Sequence, residues 1–134
     1  MNVFLDDIRN PNMSHNYNHG LGTDYDWVII TDYFEFVKFI KSNFDEIELI
    51  SFDHDLACYN NNGVEFTGKD AADFLVNFCL DNHKKFPNWY VHSDNTPGKA
   101  NIIGTILNYL RVIEYIDTST FRYYNCGLIN NRPV

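Results

Sequence analysis

The stretch IELISFDHD, residues 47–55, decides the fold of this chain. Its first six residues include β-branched and aromatic side chains, which favour a buried strand, and its last three residues are polar. Two other stretches have the same form, because Asn2–Leu5 precedes an Asp-Asp pair and Asn88–Val91 precedes His92 and Ser93. The sequence therefore predicts three buried strands, each ending at residues suited to chemistry.

Helical patterns separate these strands. Apolar residues recur at helical spacing after residues 31–32, after Thr67 and after the Pro-Gly pair 97–98, and each of these positions is typical of a helix start. Two further strands are predicted at residues 27–31 and 120–124. Because crossover helices return the chain over a parallel sheet, we predict an α/β fold. It is a single three-layer, doubly wound domain whose five-stranded parallel sheet has the flavodoxin-like order 2-1-3-4-5.

Residues 8–25 form the longest stretch without a helical or strand pattern. They contain Pro, Gly, Asn and His but no periodicity, so we predict a long loop. Compact domains tend to keep loops of this length for function. A lid over a site is one interpretation.

Composition limits the class of protein and of partner. A chain of 134 residues with 45% apolar content is enough for one domain, residues 1–134, with its own core. The formal charge of -8 argues against an extended nucleic acid as partner but leaves a small anionic nucleotide open, provided that cations offset the field. Three widely spaced cysteines suggest no disulfide framework, and no signal peptide or membrane span is evident. We therefore expect a cytoplasmic protein of open oligomeric state.

Four carboxylates follow the first and third predicted strands: Asp6, Asp7, Asp53 and Asp55. These strands are neighbours in the predicted order, so the carboxylates converge and need a cation to offset their repulsion. Oxygen ligands from Asp6, Asp7 and Asp53 suit Mg²⁺ or Mn²⁺, which meet substrates through phosphate. Nitrogen ligands from histidines would instead favour Mn²⁺, Fe or Zn²⁺. The competing interpretation is that each aspartate only caps a turn or a loop.

Catalytic and substrate-binding candidates lie at the same strand ends. His92 or His54 is placed to act as general acid or base, with Asp53 and Asp55 beside them, although either imidazole can also be bonded to a loop carbonyl. Ser93 can bind a phosphoryl oxygen or merely cap a helix. Asn95 and Lys99 stand at a helix start, where free N–H groups receive anions. The remaining substrate-binding candidates are Arg9 and Lys69.

Three blocks of sequence carry a family resemblance. The blocks are LDDIRNP at residues 5–11, SFDHDL at residues 51–56 and HSDN at residues 92–95, followed by Gly98 and Asn101. Together they resemble the cyclic-phosphate-processing receiver-like family (cREC), which is related to the receiver domains of two-component signalling. That resemblance implies hydrolysis of cyclic phosphates on nucleotides or RNA ends.

The resemblance also implies roles for particular residues. Asp6 and Asp7 match the acidic pair that holds Mg²⁺ in receivers, Asp53 matches the phospho-acceptor position, and Ser93 matches the hydroxyl position after the fourth strand. The predicted fifth strand lacks the lysine that grips a phosphoryl group in receivers, and the loop of residues 8–25 replaces the first helix. Both departures count against a signalling role.

Three functions remain open at this point. The leading hypothesis is a metal-dependent phosphoesterase that hydrolyses a cyclic phosphate, with Asp6, Asp7 and Asp53 as ligands and His92 or His54 moving the proton. The second is a phospho-acceptor module modified at Asp53. The third is a module that sequesters a nucleotide without cleaving it.

Overall fold

A computed structural model describes residues 1–8 and 26–134, which form a mixed α/β receiver-like domain around one mostly parallel sheet. The strands and helices run in this order: β1 Asn2–Leu5, β2 Trp27–Ile30, α1 Tyr33–Asn43, a short 3-10 helix Phe44–Glu46, β3 Leu49–Phe52, β4 Cys58–Tyr59, β5 Glu65–Phe66, α2 Gly68–Asn82, β6 Asn88–Val91, α3 Thr96–Ile113, β7 Gly127–Ile129 and β8 Arg132–Pro133.

The main sheet has the order β2-β1-β3-β6-β7-β8, and its first four strands are parallel. This arrangement confirms the predicted receiver-like order for the first four strands. Strands β4 and β5 form a separate antiparallel hairpin. The predicted loop that replaces the first helix falls on residues 8–25, of which only the first lies within the described residues.

The helices begin where the sequence predicts, because each has a side chain that caps its free N–H groups. Asp32 accepts a hydrogen bond from the N–H of Glu35 at 2.8 Å at the start of α1. Thr67 and Asp70 form a reciprocal capping box at the start of α2. Helices α1, α2 and α3 pack side by side on one face of the sheet. A covering layer on the opposite face stays a prediction.

The fifth predicted strand, residues 120–124, is wrong. These residues form turns, in which Tyr123 is almost fully exposed, and the strand that pairs with β6 is β7, which is antiparallel. The reason lies in the connection after α3. Residues 114–126 return the chain to the carboxyl edge of the sheet before pairing begins, so the strand enters from the opposite end. Asn130 and Asn131, both with positive φ, then turn the chain tightly into β8.

Side chains of the central strands alternate between two buried faces. Val3, Ile50 and Trp89 belong to the apolar core under the helices, as do the residues two further along each strand. Phe4 and Ser51, which are partners in register, are also buried but point to the other face. Within the described part of the chain, no helix is both long and apolar enough to cross a membrane.

Candidate functional site

Three strands deliver Asp6, Asp53 and His92 to the carboxyl edge of the sheet. Each residue follows its strand directly, and its backbone N–H still donates to the neighbouring strand. The bonds run from Asp6 to the carbonyl of Ile30 (3.1 Å), from Asp53 to that of Leu5 (2.9 Å) and from His92 to that of Phe52 (2.9 Å). Because the sheet ladder extends through these three residues, their positions are set by backbone hydrogen bonds of the central sheet.

The alternation of the strands sends the two histidines to opposite faces of the sheet. His92 lies two residues after Tyr90 and therefore continues the face opposite the helices. His54 lies two residues after Phe52 and points toward the helices, where its ring lies against Gly98. The two imidazoles thus lie in different surroundings, although the sequence alone makes them equivalent candidates.

Asp6, Asp53 and His92 form a buried cluster. Their exposed fractions are 1%, 3% and 2%. Each residue offers one ligand atom, and these atoms all lie within 4.8 Å of one another. Two buried carboxylates this close to each other repel strongly, because little water is present to screen them. The cluster therefore requires a nearby positive charge.

His92 is held on both sides of its ring. Its Nδ1 lies 2.7 Å from Ser51 Oγ and its Nε2 lies 3.0 Å from Asp6 Oδ2. Phe4 stacks on the imidazole, with ring centroids 4.2 Å apart and planes 9° from parallel. An ionised carboxylate only accepts, so an ionised Asp6 takes its hydrogen bond from Nε2–H, and in the neutral ring this tautomer leaves Nδ1 to accept from the Ser51 hydroxyl. These contacts fix the orientation of His92 and, through it, one oxygen of Asp6.

The donor set fits a divalent cation. Two buried carboxylates supply hard oxygen ligands, which suit Mg²⁺ or Mn²⁺, and Asp7 lies at the same edge. If His92 instead carries its proton on Nδ1, that N–H can donate a hydrogen bond to the Ser51 hydroxyl, and Nε2 can act as a nitrogen ligand. A nitrogen ligand favours Mn²⁺ over Mg²⁺. Asp6 and Asp53 would therefore hold the ion, with His92 as a third ligand or as the hydrogen-bond partner of Asp6.

An open cavity of about 510 Å³ lies over this cluster. Its described lining includes six carboxylates, contributed by Asp6, Asp7, Asp53, Asp55, Glu65 and Asp94. None of the described lining residues is Lys or Arg. A phosphate can enter such a cavity only together with cations, because the uncompensated charge repels it.

A second polar group forms the rim of the cavity. Asp55 Oδ1 is 2.9 Å from His54 Nδ1, and the Asn95 side-chain amide donates to Asp55 at 3.2 Å. Asn95 also caps α3, because its Oδ1 accepts from the N–H of Gly98 at 2.9 Å. Ser93 Oγ accepts from the N–H of Asn95 at 3.1 Å. The loop from β3 and the start of α3 are thereby joined beside the buried cluster.

Two glycines permit this assembly because the backbone passes them closely. A Cβ at Gly68 would lie 1.7 Å from the carbonyl oxygen of Asp53, and the Gly68 N–H donates to the His54 carbonyl at 2.7 Å. A Cβ at Gly98 would lie 2.4 Å from the His54 ring. The starts of α2 and α3 therefore fix the loop that carries Asp53, His54 and Asp55.

The structure brings most of the predicted site residues together. Asp6, Asp7, Asp53, Asp55, Ser93 and Asn95 all line the cavity, while His92 lies beneath it and His54 beside it. Two predicted lysines are placed elsewhere. Lys69 pairs with Asp73 at 2.9 Å, and Lys99 contacts Cys126 at 2.9 Å, so neither lines the cavity. Arg9 lies outside the described residues.

Some residues of the site were not predicted from the sequence. Ser51 and Phe4 fix His92, and the strand alternation that places Asp53 and His92 on one face could have identified them. Tyr59 and Glu65 of the β4–β5 hairpin also line the cavity. No local motif in the sequence marks that hairpin as part of the site.

Comparison with protein families gives a match over most of the chain. The model of the family described as the cyclic-phosphate processing receiver domain matches residues 1–108, which include every described residue of the cavity. Neither a curated protein nor a solved structure matches the chain in the same comparisons.

Proposed function

Because this chain belongs to the cyclic-phosphate processing receiver domain family, we propose that it is a metal-dependent phosphodiesterase that opens a small cyclic phosphate. The observation that carries the proposal is the buried cluster of Asp6, Asp53 and His92 at the base of a cavity rich in carboxylates. A divalent cation offsets that charge and creates the attraction that a phosphodiester needs. When bound, such an ion polarises the phosphate and an attacking water molecule.

The residues of the rim are proposed to move the protons. Hydrolysis removes a proton from water as its oxygen attacks phosphorus, and the departing alkoxide oxygen takes one up. Asp55 lines the cavity, and His54 contacts it at 2.9 Å. In the proposal Asp55 accepts the water proton, and the His54–Asp55 pair returns a proton to the leaving oxygen. An imidazole suits this exchange because one ring nitrogen can donate a proton while the other accepts one.

Ser93 and Asn95 are proposed to orient the substrate. Both line the cavity at the start of α3, and Asn95 holds its amide between Asp55 and the helix. The hydroxyl of Ser93 is a donor that a phosphoryl oxygen can use. Orientation of this kind matters because the attacking and departing oxygens must lie in line with phosphorus.

His92 is proposed as a positioning residue. Its ring is enclosed by Phe4, Ser51 and Asp6, and its side chain is 0% exposed. It therefore acts through Asp6, either by a hydrogen bond or as a further ligand, in the way that outer partners commonly orient metal ligands. The proton transfer that the sequence offered to either histidine is assigned to His54.

A small cyclic nucleotide is the preferred substrate class. The net charge of -8 and the cavity of about 510 Å³ both suit a compact ligand rather than a long RNA, whose many phosphates would meet a repulsive surface. A 2′,3′-cyclic phosphate end on a short oligonucleotide has the same reacting group. The two sources can be separated by substrate length.

The test is hydrolysis of a panel of cyclic nucleotides and short 2′,3′-cyclic oligonucleotides with Mg²⁺ or Mn²⁺. Asp53→Asn should lose turnover by a factor of about 10² or more, because it removes a ligand and a buried charge. Asp81→Asn makes the same chemical change at an exposed position of α2 and should keep wild-type turnover. No turnover of any substrate by the metal-loaded wild type would reject the proposed activity.

The two histidines provide a second test, which separates chemistry from positioning. His54→Gln should lower turnover while leaving the Mn²⁺ dissociation constant nearly unchanged. His92→Gln should weaken Mn²⁺ binding as well as turnover, because its ring contacts Asp6. Equal effects of the two variants on metal binding would contradict this division of roles.

The phospho-acceptor and sequestering functions predict other outcomes. A phospho-acceptor would form an adduct with acetyl phosphate that Asp53→Asn abolishes and His54→Gln retains. This function has less support, because Asp53 is only 3% exposed and the described cavity lining has no lysine to hold an acyl phosphate. A sequestering module would bind a cyclic nucleotide and release it unchanged.

A further inference from the structure

A lysine and a cysteine meet outside the cavity. Lys99 Nζ lies 2.9 Å from Cys126 Sγ, which is shorter than an ordinary hydrogen bond to sulfur. Lys99 belongs to the first turn of α3, and Cys126 directly precedes β7 and is 2% exposed. The Sγ also faces the carbonyl oxygen of Tyr124 at 3.7 Å, to which a thiol can donate. The amine thus lies against the sulfur in a partly buried position.

The pair is separate from the proposed reaction. Neither residue lines the cavity, and Cys126 lies beyond residues 1–108, which the family model matches. The contact therefore joins α3, which begins within the matched residues, to a segment beyond them. Under oxidising conditions a thiol can become a sulfenic acid, which can then react with a nitrogen nucleophile beside it.

We propose that Lys99 and Cys126 form a covalent nitrogen–sulfur cross-link when the protein meets a peroxide. Sulfur first attacks the peroxide: an S–O bond forms, the O–O bond breaks and water leaves, so the thiol is oxidised to a sulfenic acid and the peroxide is reduced. The Lys99 amine then attacks sulfur, an S–N bond forms and the S–O bond breaks. The departing hydroxide takes a proton from the nitrogen and leaves as water. The balance is one thiol, one amine and one hydrogen peroxide to one sulfenamide and two waters.

The cross-link would join two elements that flank the functional site. The backbone N–H of Lys99 donates to the Asn95 carbonyl at 2.8 Å, within the turn that caps α3. The carbonyl of Cys126 accepts from the N–H of Val91 at 2.8 Å, directly before His92. The bond also closes the loop between residues 99 and 126. Its closure should raise the Tm by on the order of 10 °C.

The experiment treats the folded protein with hydrogen peroxide at about pH 9, because only an unprotonated amine can attack sulfur. Intact mass should show a loss of two hydrogens, and peptide mapping should find residues 99 and 126 in one linked fragment. A thiol reductant should restore the original mass and the original Tm. Cys58 and Cys79 are matched internal controls: both are buried, as Cys126 is, but no lysine amine of the described residues contacts their sulfur, so neither should appear in a linked fragment.

Two variants make the result decisive. Lys99→Arg keeps the positive charge but replaces the amine with a poor nucleophile, and it should abolish both the linked fragment and the rise in Tm. Cys126→Ser should do the same, and Lys99→Arg suffices if that buried substitution prevents folding. A loss of two hydrogens that persists in Lys99→Arg would indicate a disulfide and overturn the proposal. So would oxidation of Cys126 to sulfinic or sulfonic acid with no linked fragment.

Discussion

The Ser51→Ala substitution is the sharpest single test of how the buried cluster is held. Ser51 is 0% exposed, and its hydroxyl lies 2.7 Å from Nδ1 of His92. Alanine fits the same strand position and removes only that oxygen. The substitution therefore isolates one hydrogen bond at the back of the histidine that contacts Asp6.

The size of the effect of Ser51→Ala follows from the burial of the His92 ring. A buried ring nitrogen that loses its hydrogen-bond partner costs about 1–3 kcal/mol of unfolding free energy. For a chain of this length that loss lowers the Tm by about 5–10 °C. Because His92 then fixes Asp6 less firmly, the affinity for Mn²⁺ should fall by about 10- to 100-fold.

The assay combines urea unfolding with calorimetric titration of Mn²⁺ in the absence of substrate. Ser42→Ala is the matched control: Ser42 is exposed on α1, so both the unfolding free energy and the Mn²⁺ affinity should stay near wild type. In a His92→Phe background, which keeps an aromatic ring beside Phe4, Ser51→Ala should cost less than about 0.5 kcal/mol. Wild-type stability and wild-type Mn²⁺ affinity in the Ser51→Ala protein would refute the positioning argument.

Three further predictions concern the glycine contact, alkaline pH and metal binding. Gly68→Ala should weaken Mn²⁺ binding at least 10-fold and destabilise the fold, since its Cβ would lie 1.7 Å from the carbonyl oxygen of Asp53. At Gly104 a Cβ has open space, so Gly104→Ala should raise the free energy of unfolding, measured in urea, by about 0.4–1 kcal/mol. Burial raises the pKa of both Cys79 and Tyr109 to about 12. The stability that these groups contribute is therefore complete below about pH 9 and falls toward pH 12, by up to about 1.4 kcal/mol per pH unit from the Cys79 thiol alone. Cys79→Ala should flatten that decline in the free energy of unfolding. Mn²⁺ at about 100 times its dissociation constant should stabilise the wild type by about 2.7 kcal/mol and leave Asp53→Asn unchanged, as thermal unfolding with and without a chelator will measure.

Much of the fold could be predicted from the sequence because its signals are local. The first, third and fourth parallel strands are short apolar runs that end abruptly, and Thr67 and Asp32 are strong caps. The fifth strand could not be placed, because aromatic and β-branched residues at 120–124 have strand propensity whether or not a neighbouring strand is in reach. Only the path of residues 114–126 decides where the last strand pairs and in which direction.

The candidate site was predicted in outline for a similar reason. Strand order, which the alternation of elements predicts, makes the strands that carry Asp6 and Asp53 neighbours. Contacts that depend on side-chain direction could not be predicted from strand order. The pairing of Lys99 with Cys126 joins residues far apart in the chain, and the enclosure of His92 by Phe4 depends on which face of the sheet each side chain takes.

The alternation of faces has a consequence for how this chain tolerates insertions and deletions. Removing one residue from β3 would rotate every later side chain of that strand by half a turn, so that His54 would replace Asp53 beside Asp6. The apolar side chains of β3 would leave the helical layer in the same step. Length changes within the three central strands should therefore abolish folding and ion binding together.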